Sequence, residues 1–159
     1  MALWLRKLRR LGRDLRAFIT APWQRRKLAL EAGWELIRAR FQTLRATKKY
    51  IVDLGELGKE PMTAATDQVT EAQEIGEIVR RAAKLAPFRA VCLQQAIAVR
   101  RMLNRRDIPS TVYLGLSQGE EDSTAGQADR DAHAWVMAGS SVVAGDRDLH
   151  RFAVVATFG

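Results

Sequence analysis

The chain has 159 residues, 47% hydrophobic and 28% charged, a length that can bury roughly 70% of its extended-chain surface as one domain without crosslinks. A single cysteine excludes an intrachain disulfide, and one Cys with two scattered His supplies no zinc-binding set, so no metal and no organic cofactor is expected. The formal charge of +8 is uneven: residues 1–50 hold 14 Lys/Arg against 3 Asp/Glu, and residues 51–159 hold 12 against 15. That step predicts a basic helical region of residues 1–60 that meets a partner and a near-neutral domain of residues 61–159 that houses chemistry.

In chain order, Trp4, Leu8, Leu11, Leu15 and Phe18 recur every three or four residues among Arg and Lys, the pattern of a basic amphipathic helix. Such a face suits an anionic interface, so peripheral membrane contact through residues 1–20 is one expectation; docking to a protein partner is another. Its Arg-rich surface could also track phosphates, but with few interleaved aromatics no nucleic acid is expected. Arg6, Lys7, Arg9 and Arg10 interrupt the first apolar residues, so no secretory signal is expected, and no apolar run is long enough to span a bilayer. With its lone cysteine, the chain fits a reducing cytoplasm.

Thr20 and Pro22 open a second helix to about Leu44, whose apolar Leu28, Leu30, Trp34, Ile37, Phe41 and Leu44 predict packing against neighbouring helices and the body. Residues 55–68, with Gly55, Gly58 and Pro61, read as a connection. Ile75, Ile78, Val79, Ala82 and Leu85 give a third helix from about Thr70 that closes before Pro87, and a fourth runs from near Val91 to near Arg106. Strands follow at Thr111–Ser117, Ala132–Met137, Ser141–Ala144 and Phe152–Phe158, with a polar hairpin connection over 118–130 and a turn at Gly139-Ser140. The fold class is therefore α+β, helices followed by a small antiparallel sheet.

Cys92 falls in the first turn of the fourth helix, where unpaired N–H groups and the helix dipole favour a thiolate and could also donate to an oxyanion. Taken alone, a free cysteine is more often just a small buried hydrophobe. His133 lies in the strand Ala132-His133-Ala134-Trp135-Val136, and Asp146 follows Gly145 at the end of the next strand, so a hairpin can set the carboxylate beside the imidazole. Cys92 as nucleophile, His133 as base and Asp146 as orienting carboxylate is the chain order of papain-like and transglutaminase-like enzymes. Asp148 competes with Asp146; His150 reads as surface and Trp135 as core. A catalytically inert peptide-binding scaffold is the alternative.

The segments Ala86-Pro87-Phe88-Arg89-Ala90-Val91-Cys92-Leu93, Arg101-Met102-Leu103, Arg106-Asp107-Ile108-Pro109, Ala132-His133-Ala134-Trp135-Val136 and Gly145-Asp146 together resemble the lasso-peptide leader peptidases. The helical lead-in from Pro22-Trp23-Gln24-Arg25 is similar as well. Two departures are Gln94-Gln95, where an Arg-Ala or similar pair is usual, and Phe88 in place of a frequent Trp. The resemblance implies a transglutaminase-like fold, a bacterial cysteine protease that cuts the leader from a ribosomally made precursor, and a triad on Cys92, His133 and Asp146. It further implies a split form with no fused leader-recognition domain, working with the precursor peptide, a separate leader-recognition protein and an ATP-dependent macrolactam synthetase.

Overall fold

The computed structural model describes residues 20–45, 54–59, 63–117 and 132–159. The expected first helix, the membrane contact through residues 1–20 and the connection over 118–130 lie outside the described residues. Among these residues are three helices, α1 (Trp23–Leu44), α2 (Thr66–Leu85) and α3 (Cys92–Asn104), then strands β1 (Thr111–Ser117), β2 (Ala132–Ala138), β3 (Ser141–Ala144) and β4 (Phe152–Phe158). The fold is α+β, with the helices layered on one face of a sheet ordered β3-β2-β1-β4, every pair antiparallel. None of these helices is long and apolar enough to cross a membrane.

The helix starts follow from local chemistry. Pro22 precedes α1 in extended geometry (φ −52°, ψ 147°), with its φ already set for helix entry. The start of α2 lies four residues before the expected Thr70, because the Gln68 side-chain oxygen accepts the Ala65 N–H at 3.1 Å and closes the first turn there. The expected connection over 55–68 is correspondingly shorter. Part of it runs along the free edge of β4, where the Gly58 N–H donates to the Thr157 carbonyl and Glu56 and Gly159 exchange backbone hydrogen bonds.

One core joins all three helices to the sheet: Ala32, Leu36 and Ala39 of α1, Ala72, Ile75 and Val79 of α2, Ile97, Met102 and Leu103 of α3, and Val112, Ala134 and Val136 of the strands. Each large side chain buried there contributes about 1.5–3 kcal/mol. Gly76 is required at the α2–β3 contact, since a Cβ there would lie 1.7 Å from the Val143 carbonyl oxygen.

Helix α1 departs from the expected packing. Its inward face is Ala32, Glu35, Leu36 and Ala39, whereas Leu30, Trp34, Ile37, Phe41 and Leu44 are 39–64% exposed. Two alanines let α1 approach closely, and an ionic seam fixes the orientation. Arg105 bridges Glu31 (2.7 Å) and Glu35 (3.1 Å), Arg106 pairs with Glu31 (2.7 Å), and Arg101 pairs with Glu35 (3.2 Å), both of the last two nearly fully buried. Burial pushes the Glu31 carboxyl up, but hydrogen bonds from Arg106 and Arg105 outweigh it and hold Glu31 below the usual carboxylate range. The same hydrogen bond to Glu31 raises the Arg106 guanidinium.

The two faces of the sheet differ in character. Alternation along β2 sends Ala134, Val136 and Ala138 to the helices and His133 and Trp135 to the opposite side. There Trp135 stacks on Tyr113 at 5.5 Å, and His133 stacks on Phe152 at 4.8 Å. Gly115 opposes His133 in register; a Cβ at Gly115 would lie within 3.0 Å of Trp135 and Phe152 atoms, so its bare backbone makes room for the rings.

Candidate active site

Cys92 is the first residue of α3 and is partly exposed, with extended Val91 before it (φ −74°, ψ 164°). The segment leading into it is held by two neighbouring glutamines. Gln94 accepts the Val91 N–H at 3.2 Å and donates to the Thr43 hydroxyl at 2.9 Å, fastening the helix mouth to the end of α1. Gln95 donates to the Ala90 carbonyl at 2.9 Å, and Arg40 lies over the Phe88 ring at 5.0 Å. These contacts fix the position of the sulfur beside first-turn N–H groups that have no intrahelical acceptor. In the sequence Gln94 and Gln95 stand out only as departures from the resemblance; the signal for a role is a glutamine three residues past the cap, which can reach back to the cap N–H.

The Cys92 thiol donates to the Ala132 carbonyl oxygen at 3.9 Å, and Ala132 is the residue just before His133. The His133 ring, on the aromatic side, places Nε2 2.9 Å from the Gly145 carbonyl oxygen, the residue just before Asp146. A carbonyl only accepts, so Nε2 carries the hydrogen in that bond, and in the neutral ring Nδ1 is the basic nitrogen. Phe152 at 4.8 Å and Trp135 at 6.1 Å flank the imidazole. Gly145 adopts φ 77°, and a Cβ there would lie 2.5 Å from the Ala134 carbonyl, so glycine is needed for this close approach to β2.

Asp146 is exposed at the edge of a cleft between α2 and β3 that is also lined by Gln73, Glu77 and Arg80 of α2 and Gln95 of α3. A hydrogen bond from Arg81, aided by one from Arg80, holds the Glu77 carboxyl below the usual carboxylate range. Among the described residues no hydrogen bond joins Cys92 to His133 or His133 to Asp146. The structure therefore brings the three residues to one end of the sheet, with Cys92 bonded to the carbonyl one residue before His133 and His133 to the carbonyl one residue before Asp146. Asp148 is exposed with φ 46°, and His150 is exposed in the 3-10 turn Leu149–Arg151. Trp135 is 5% exposed, on the side away from the helices. Groups of three or more His, Cys, Asp or Glu able to hold a metal do not occur among the described residues.

Comparison with curated proteins and with solved structures finds no match. A model of the transglutaminase-like superfamily matches residues 35–157, from the middle of α1 to the penultimate residue of β4. The chain belongs to the transglutaminase-like superfamily.

Proposed function

We propose that the protein is a cysteine peptidase that removes the leader from a ribosomally made lasso-peptide precursor. Membership in a superfamily that commonly comprises cysteine proteases and acyltransferases supports cysteine chemistry. The observation that carries the reading is a thiol fixed in the first turn of α3, beside the strand bearing a tautomer-defined imidazole. The leader-peptide substrate rests on the resemblance of the Cys92 and His133 segments.

In this reading His133 Nδ1 takes the Cys92 proton, and the sulfur attacks the carbonyl carbon of the last leader residue. The C–S bond forms, and first-turn N–H groups of α3 donate to the oxyanion. As the C–N bond breaks, the imidazolium returns its proton to the departing amine. The core peptide leaves at that point with a free α-amino group for macrolactam closure; water, deprotonated by the same imidazole, then attacks the thioester carbon, the C–S bond breaks, the imidazolium returns the proton to sulfur and the leader departs as a carboxylate. Asp146 is the proposed orienting carboxylate, one residue from the carbonyl that holds the ring. The contact between sulfur and imidazole forms in the substrate complex, where catalytic hydrogen bonds commonly tighten. The working setting is the bacterial cytoplasm, with a separate leader-recognition protein presenting the precursor and an ATP-dependent synthetase closing the ring.

The lack of a Cys92–His133 hydrogen bond favours one competing reading, an inert scaffold that carries the peptide for other enzymes. Incubating the full chain with precursor and leader-recognition protein in H₂¹⁸O separates the two. Hydrolysis puts one ¹⁸O into the new leader carboxylate and is lost in Cys92→Ala. Unchanged cleavage by Cys92→Ala would remove the nucleophile assignment, and an intact precursor would favour the scaffold.

A further inference from the structure

We propose that the outward face of α1 docks on an anionic lipid surface. At 100° per residue, Trp23, Leu30, Trp34, Ile37, Phe41 and Leu44 form one stripe, and the buried Ala32, Leu36 and Ala39 lie on the opposite side. Four of the six stripe residues are more than 60% exposed, and the other two are 57% and 39% exposed. Most of the large apolar side chains of α1 are thus turned away from the core, while Leu36, two alanines and an ion-paired Glu35 face the body.

Charge selects the occupant. The only acids of α1 are Glu31 and Glu35, and both are drawn inward by Arg101, Arg105 and Arg106. The outward flank keeps cations: Lys27 lies over the Trp23 ring at 5.3 Å, and Arg38 and Arg45 are exposed. Indole, aliphatic and cationic groups on one exposed ridge match the headgroup and acyl boundary of a bilayer with negative headgroups. The sequence before α1 repeats the chemistry, with Trp4, Leu8, Leu11, Leu15 and Phe18 among six Arg/Lys and a single Asp in residues 1–19. A plane can receive two such stretches at once, whereas one partner helix covers one. The inference does not depend on the peptidase reading.

The test is co-sedimentation of the full chain with vesicles of phosphatidylglycerol and phosphatidylcholine in equal parts, and with phosphatidylcholine alone. The expected result is binding to the mixed vesicles that drops at least about tenfold without the anionic lipid. Trp34→Glu combined with Phe41→Glu lowers it at least about tenfold with an unchanged thermal midpoint, because both side chains are exposed. Arg38→Gln with Arg45→Gln, which keeps the stripe, also lowers it about tenfold or more. Equal binding to both vesicle types, or full binding by both double variants, overturns the proposal. So does light scattering that shows a wild-type dimer converted to monomer by Trp34→Glu with Phe41→Glu, since a second copy would then cover the stripe.

Discussion

The two ends of α3 are built to different standards. At its C-terminal end Arg101, Arg105 and Arg106 meet Glu31 and Glu35 in direct, partly duplicated ion pairs at 2.7–3.2 Å. At its N-terminal end Cys92, His133 and Asp146 are neighbours whose contacts run through the carbonyls of Ala132 and Gly145. A buried charge left unpaired is costly, so each carboxylate of the seam meets at least two guanidinium groups. Here the helix mouth and the imidazole are separately anchored, the first by Gln94 and Gln95, the second by Gly145 and Phe152, which suits the proposed role of a thiol open to an incoming carbonyl.

Removing Cys92 should have the largest effect: Cys92→Ala lowers leader cleavage by about 10⁴-fold or more, with little change in the unfolding midpoint. Breaking the seam should do the reverse. Arg101→Met leaves Glu35 buried with Arg105 as its remaining partner and costs about 1.5–3 kcal/mol in denaturant unfolding, less than a fully unpaired buried charge would, and Glu35→Leu added to it restores part of that loss. If Arg101→Met were neutral, the seam would not be what orients α1.

Intermediate effects probe how the imidazole is held. Asp146→Asn should lower kcat by about tenfold to a hundredfold, and Asp148→Asn by less than about twofold. A loss near 10⁴-fold for Asp146→Asn would mean that the carboxylate displaces the Gly145 carbonyl from Nε2 in the substrate complex. Phe152→Ala removes the ring stacked on His133 and should cost about tenfold in kcat with KM little changed, read from initial rates over substrate concentration.

The smallest effect is a pH dependence of stability. The Glu31 carboxyl is lowered in the folded state, so its contribution is present above the unfolded glutamate value of about 4.3 and is lost as pH falls through the lower folded value. It is seen as a steeper loss of urea midpoint below about pH 4.3 in wild type than in Glu31→Gln.

Much of the fold was legible because its strands are short, largely apolar runs, three of them closed by Gly139, Gly145 and Gly159, and the β2–β3 turn falls at Gly139-Ser140 as expected. The packing of α1 was not, since apolar periodicity points to Leu30, Trp34 and Phe41, whereas the inward face is set by Glu35 and its pairing with Arg101, 66 residues away. At the site, Cys92 in the first turn of α3, His133 in β2 and Asp146 after β3 occupy the expected elements. The bridging carbonyls could not be read, because they depend on strand register and on the bulge between Val136 and Met137.

The central claim is that His133 activates Cys92, and its most direct test is the alkylation rate of the lone cysteine by iodoacetamide at mildly acidic pH, in wild type and in His133→Ala. The account expects a wild-type rate at least about tenfold above that of His133→Ala, with both proteins folded. Equal rates on an accessible thiol would contradict it and leave Cys92 a structural residue at the mouth of α3.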